Sequence, residues 1–229
     1  MDRLLEGVYK FQHEVYPQQR ELFERLASKQ HPRALFITCA DSRVVPDLIT
    51  QSDPGDLFIC RNAGNMVPPY GEMNGGVSAT IEYAVSALNV HHIVVCGHAD
   101  CGAIKGLIYP ELVSQMPVVR SWLSHGELAR RIVTESWPNL TGDALLHALI
   151  EENVVAQLDH LRTHPSVASA LARGELCLHG WVYHIRTGDV EAWDAQQNRF
   201  VAIEDYRPES AKPRSHRPSR FNVVDAGAA

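Results

Sequence analysis

Three short apolar runs constrain this chain most. Each is about the length of one strand, and each hands over to turn residues and then to a helical pattern. They are Arg33-Ala-Leu-Phe-Ile-Thr38, Asp56-Leu-Phe-Ile-Cys-Arg61 and His92-Ile-Val-Val-Cys-Gly97. Runs this short, apolar throughout and bounded by turn signals read as strands buried on both faces. Between the second and third lies Gly75–Leu88, a small-residue-rich segment that reads as a helix after a diglycine. Strands separated by helices predict βαβ units and hence an α/β fold, a central, mostly parallel sheet flanked by helices. A late strand is expected over Glu175–Tyr183, turned by Gly188-Asp189 toward an antiparallel partner at Val190–Trp193.

The rest of the chain fits one domain over 1–205. Leu4, Leu5, Val8, Phe11 and Val15 recur at helical spacing, so 2–28 reads as a helix that Pro17 breaks or re-aims. The stretch from Val118 to Leu171 reads as mainly helical, broken at Trp137-Pro138. From Asp143 to Leu161 it gives one long amphipathic helix. From about 206 to 229 the chain is rich in Pro, Ser and Arg, and disorder is expected.

Two of the three runs end in residues that bind soft metals. The first delivers Cys39-Ala-Asp41-Ser-Arg43 and the third delivers His98-Ala-Asp-Cys101. Each residue alone has an ordinary explanation. A Cys after a buried strand usually packs, a His after Gly often satisfies a turn, and Cys101-Gly102 could simply start a helix. Together they place two thiols and an imidazole at the carboxyl ends of strands, where open α/β sheets bind ligands. Two thiolates and one imidazole suit Zn²⁺, and three protein ligands leave a fourth position for water. Zn²⁺ with two thiolates is formally neutral, so such a site benefits from a neighbour that handles the proton. Asp41 and Arg43 can face the metal from the turn after Cys39. Arg43 can keep Asp41 ionised through a bidentate contact, which leaves Asp41 able only to accept a hydrogen bond. The alternative is a structural ion pair.

Composition removes several classes. The chain has 229 residues and a formal charge of −6, which argues against a nucleic-acid surface. No apolar run approaches the ~20 residues of a membrane span. The first residues carry acids and lack a signal-peptide pattern, and the five cysteines are an odd number. A cytoplasmic, reducing setting is therefore expected. Cys60, Cys96 and Cys177 read as small buried hydrophobes. A deaminase would need His-x-Glu and Pro-Cys-x-x-Cys, and neither occurs.

Cys39-Ala-Asp-Ser-Arg43, Arg61-Asn-Ala-Gly-Asn65, Glu82-Tyr-Ala-Val85 and Gly97-His-Ala-Asp-Cys-Gly102 resemble the motifs of β-class carbonic anhydrases. So do Pro32–Ile37, Asn65-Met-Val-Pro-Pro69 and His179-Gly-Trp-Val-Tyr183, over about 2–205. The nearest resemblance is to bacterial members associated with cyanate metabolism. The resemblance implies one Zn²⁺ per subunit on Cys39, His98 and Cys101. It implies interconversion of CO₂ and bicarbonate, with a zinc hydroxide oriented by Asp41 and Arg43. Gln30, Phe58, Ala63 and Tyr83 would line the CO₂ pocket at a subunit interface. The basic unit would be a homodimer, with the 2–28 helical arm on the partner, and dimers could pair into tetramers. Some bacterial members hold an inhibitory bicarbonate between a Trp, an Arg and a Tyr. Arg61 and Tyr183 match two of these positions, but Phe36 stands at the third and lacks the indole N–H. That implies an open site without strong bicarbonate inhibition. His91, His92 and His125 could relay protons, but the surface reading is favoured and no shuttle is assigned. Two other readings stay open at this point: hydrolysis of carbon disulfide or carbonyl sulfide on the same scaffold, and a zinc site that serves only stability or sensing.

Overall fold

The computed structural model describes residues 1–72 and 75–208. The expected disorder of the tail lies, from 209 onward, outside the described residues. Six strands form one sheet in the order β2-β1-β3-β4-β5-β6. They are β1 (Ala34–Cys39), β2 (Leu57–Asn62), β3 (His92–His98), β4 (Cys177–Tyr183), β5 (Val190–Asp194) and β6 (Arg199–Ala202). The first four pair in parallel, and β5 and β6 extend the sheet antiparallel.

Helices make the crossovers. The arm comprises α1 (Asp2–Lys10), a widened turn over Phe11–Val15, α2 (Tyr16–Gln18) and α3 (Arg20–Leu26). Then come α4 (Pro46–Thr50), α5 (Gly76–Ser86), α6 (Gly102–Ile108), α7 (Pro117–Leu123), α8 (Glu127–Ser136), α9 (Gly142–Thr163) and α10 (Pro165–Arg173). Pro17 has no N–H to give the turn before it, which accounts for the widening ahead of it and the break at Gln19. The expected single helix is therefore a jointed arm. None of α1, α2 and α3 has a buried residue. Met1, Leu4, Leu5, Val8, Tyr9 and Phe11 stand exposed.

The period-2 alternation of the central strands sorts the interior into two parts. Leu35 and Ile37 of β1, Ile93 and Val95 of β3 and Val182 of β4 pack with α9, Ile81 of α5 and Ile104 of α6 in the main core. Phe36, Val94 and Cys96 form a smaller cluster with Ile59, Trp181 and Tyr183. Both faces of β1 are buried, which is why its sequence is apolar at every step but Thr38. Thr38 is satisfied by donating to the Cys96 carbonyl at 2.8 Å.

Candidate metal centre

β1 and β3 are parallel neighbours, so their carboxyl ends lie side by side. Cys39 closes the first and His98 closes the second. A tight turn then reverses the chain through Asp100, whose φ of 60° is left-handed, a region that Asp tolerates better than most residues. Cys101 follows as the N-cap residue of α6. It begins a helix and lies in the cluster at once, so starting α6 does not exclude Cys101 from the ligand set.

All three residues are buried, and their ligand atoms lie within 4.8 Å of one another. The Cys39 and Cys101 sulfurs are 3.9 Å apart. Two thiolates about 2.3 Å from a tetrahedral Zn²⁺ would sit about 3.8 Å apart. His98 Nδ1 donates to the Ala99 carbonyl at 2.9 Å, which fixes the tautomer and leaves the Nε2 lone pair free. Among the described residues Nε2 has no hydrogen-bond partner, and it is buried. A buried, unpartnered imidazole nitrogen beside two thiols is the donor set a zinc ion would satisfy, so the residues fit the metal.

Electrostatics around the cluster are uneven. The Cys101 thiol hydrogen-bonds the Cys39 sulfur. Against the opposing effect of burial, that bond, His98 and the Gly64 and Asp41 backbone N–H groups bring the Cys39 pKa down to about 4. The same bond, with burial, pushes Cys101 above the thiol range. Arg43 grips Asp41 as a fork, Nε to Oδ1 at 3.0 Å and Nη2 to Oδ2 at 2.8 Å. Its backbone N–H adds a third bond to Oδ1 at 2.9 Å. These bonds hold the Asp41 carboxyl well below the usual carboxylate range. Asp41 Oδ2 lies 3.8 Å from His98 Nε2, so the carboxylate borders the ligand set.

Two supporting groups have roles that the sequence reading did not assign. Asp100 accepts from Arg43 Nη1 at 3.2 Å and pairs with Lys105, bracing the guanidinium from the far side. Arg61 reaches from β2 to the Cys39 carbonyl at 3.1 Å and the Asp41 carbonyl at 2.6 Å, and so shapes the turn between them. The only available signal was that both lie inside the quoted motifs.

The expected pocket residues do not gather at the triad within one chain. Ala63 follows the carboxyl end of β2, and its carbonyl accepts from Trp122 Nε1 at 2.9 Å. Phe58 and Tyr83 meet with ring centroids 6.0 Å apart, but Phe58 pairs in register with Leu35, near the amino end of the sheet. Gln30 is exposed on the link before β1, also at the amino end. His91 and His92 lie at the amino end of β3, about 20 Å of strand from His98. His125 is buried near Glu72, at 3.6 Å. Cys60 and Cys96 are buried, and burial raises both thiols, Cys96 to about 12. Cys177 is half-buried.

Comparison with known proteins agrees with this geometry. Residues 34–190 match the family model described as carbonic anhydrase. A carbonic anhydrase of Pseudomonas aeruginosa is 50% identical over 206 residues, covering 90% of this chain and 93% of the relative. The solved structure of the β-carbonic anhydrase CcaA superposes with a TM-score of 0.87 at 49% identity, over 92% of each chain. A tetrameric β-carbonic anhydrase of Sordaria macrospora gives a TM-score of 0.75 at 31% identity, over 83% of this chain and 95% of that one. The fold and site define a zinc-dependent class of α/β lyases. The chain belongs to the β-class carbonic anhydrase family.

Proposed function

We propose that this chain reversibly hydrates CO₂ to bicarbonate and a proton at a zinc centre held by Cys39, His98 and Cys101, one ion per subunit. The observation that carries the assignment is the unpartnered His98 Nε2, buried beside two sulfurs 3.9 Å apart and bordered by Asp41. Family membership supports the reaction. Zinc, when bound there, acidifies water so that a hydroxide nucleophile is available near neutral pH.

The chain's own residues do the positioning. Asp41, kept ionised by Arg43, can only accept a hydrogen bond. It takes the O–H of the attacking water and turns a lone pair toward the substrate carbon. Arg43 is held in turn by Asp100, and Arg61 sets the backbone that carries Asp41. Both Asp41 oxygens are committed to Arg43, which supports an open fourth position rather than Asp41 as a ligand. Phe36, packed edge-on to Trp181 with centroids 5.9 Å apart, offers no N–H to an anion, which supports weak inhibition by bicarbonate.

Gln30, Phe58, Ala63 and Tyr83 form the CO₂ pocket in this reading, with Phe58 and Tyr83 as apolar walls. Their spread over both ends of the sheet supports a pocket shared between two copies. The exposed apolar side chains of α1 support a dimer in which the arm lies on its partner, and the tetrameric relative supports pairing of dimers. The odd count of five cysteines, none of them in a disulfide among the described residues, supports a reducing compartment, the cytoplasm. No helix among the described residues is long and apolar enough to cross a membrane. Motif resemblance to cyanate-associated members is the ground for one finer proposal, that the bicarbonate made here serves cyanate breakdown.

The test is stopped-flow CO₂ hydration together with zinc analysis. Zinc-loaded protein should outpace buffer. Asp41→Asn should lose activity on the order of 10²-fold while keeping its zinc. Zinc-loaded protein no faster than buffer would refute the assignment. An Asp41→Asn variant as fast as the parent would refute the role of Asp41.

A further inference from the structure

A second cluster of metal-ligand side chains stands apart from Cys39, His98 and Cys101. His147 and Glu151 are four residues apart on α9 and so share one helix face, the spacing by which a helix chelates a metal. Their side chains approach to 3.4 Å, His147 Nε2 to Glu151 Oε1. Glu191 of β5 comes to the same place. One ligand atom from each of these three residues lies within 4.8 Å of the others. His184, the residue after β4, holds Glu191 Oε2 at 2.6 Å through Nε2, and its ring lies 5.8 Å from that of His147. Two imidazoles and two carboxylates thus converge from three separate parts of the chain.

Their environment is short of positive charge. Among the described residues neither Glu151 nor Glu191 has a Lys or Arg within ion-pair distance, and their only such partners are the two imidazoles. Glu151 is half-buried, and burial together with the nearby Glu191 raises its pKa above the ordinary carboxylate value. A cation would relieve both the repulsion and the burial.

We propose that His147, Glu151 and Glu191 bind a second divalent transition ion, with His184 orienting Glu191 or entering as a fourth ligand. The donors are imidazole nitrogen and carboxylate oxygen, a set that suits Zn²⁺, Ni²⁺ or Cu²⁺ better than Mg²⁺ or Ca²⁺. The His184–Glu191 contact is the carboxylate–histidine pairing that steers metal ligands. The site joins the amino-terminal half of α9 to the edge where β4 turns into β5. The main chain there is tied to the catalytic strand, because the Ala99 N–H donates to the Tyr183 carbonyl at 2.8 Å. Its effect is a cross-link that stabilises the fold.

The experiment is zinc analysis of the holoenzyme after equilibrium dialysis against excess Zn²⁺ with a weak competing chelator, alongside His147→Gln, Glu191→Gln and Cys101→Ala. The parent should hold two ions per chain and the first two variants one. Cys101→Ala should keep the second ion while losing the first. Added Zn²⁺ should also raise the melting temperature of the parent holoenzyme and leave that of Glu191→Gln unmoved. Equal zinc content in the parent, His147→Gln and Glu191→Gln would overturn the proposal, as would an equal zinc-induced shift in melting temperature. Neither reading needs Cys101→Ala to fold.

Discussion

At the scale of single residues, the chain keeps its ionisable groups in contrasting surroundings. Asp41 is charged because Arg43 surrounds it with donors. His179, at the other end of the sheet, is buried among groups that oppose its charge. Its Nε2 is 3.0 Å from His92 Nδ1, and its Nδ1 is 2.9 Å from the Tyr206 hydroxyl. Burial first, and then the neighbouring His92, lower its pKa from 6.5 to about 4. The unfolded chain therefore takes up a proton near pH 6.5, whereas the folded chain refuses it until about pH 4. The stability tied to this residue is complete above the upper value, is lost as pH falls through the window, and levels off below it. At 1.36 kcal/mol per unit the loss over this window is at most about 3–4 kcal/mol. Urea unfolding of the parent and His179→Gln across that range should show a shallower acid-side decline for the variant. Parallel declines would mean that the proton is taken up elsewhere.

At the scale of elements, the fit of α9 to the sheet depends on two missing side chains. Val154 of α9, fully buried, lies over Gly97 of β3 and Gly180 of β4. A Cβ on Gly180 would stand 2.7 Å from Val154 Cγ1 and 3.1 Å from Leu158 Cδ1. Neither contact can retreat, since both side chains are packed in the main core. Gly180→Ala should destabilise by roughly 1–3 kcal/mol, visible as a lower melting temperature at unchanged zinc content. A melting temperature equal to the parent's would show that α9 can shift at no cost. The sequence showed where β1 to β5 and α9 lie, because apolar runs and helical periodicity are local signals. It did not show β6. Arg199-Phe-Val-Ala202 is a four-residue edge strand, too short for its alternation to stand out from a turn. The convergence of Cys39, His98 and Cys101 was legible for the same local reason, since each ends a strand or follows a turn that the pattern reveals. The bracing of Arg43 by Asp100, and of the Asp41 turn by Arg61, was not legible. Those contacts join backbone and side chains that only the folded sheet brings together. The close approach at Gly180 was hidden likewise, because a glycine in a strand does not announce what packs on it.

At the scale of the whole molecule, one chain separates the residues of its expected pocket. Cys39 ends β1, whereas Gln30 precedes it and Phe58 pairs with Leu35 near its start. The two ends of a six-residue strand are roughly 17 Å apart at about 3.3 Å per residue. Gln30 therefore stands at the opposite end of β1 from the triad of its own chain. It can serve the triad of a second copy, and that arrangement has a consequence for hybrids. In the proposed dimer, chains carrying Asp41→Asn alone, or Gln30→Ala alone, should leave every site impaired. In a hybrid of the two, one site combines both substitutions, whereas the other combines an intact Asp41 with an intact Gln30 from the opposite chain. Co-expression should thus restore activity to about half the parent's per hybrid dimer, since one of its two sites is whole. If Gln30 acted within its own chain, each site of the hybrid would keep one lesion and no activity would return. Co-expression of Asp41→Asn with Cys101→Ala is the control. Both of those residues belong to one chain's cluster, so that hybrid has no intact site and should stay inactive under either arrangement. Recovery confined to the first pair would place Gln30 across the interface, and the absence of recovery would remove it from the pocket of the partner.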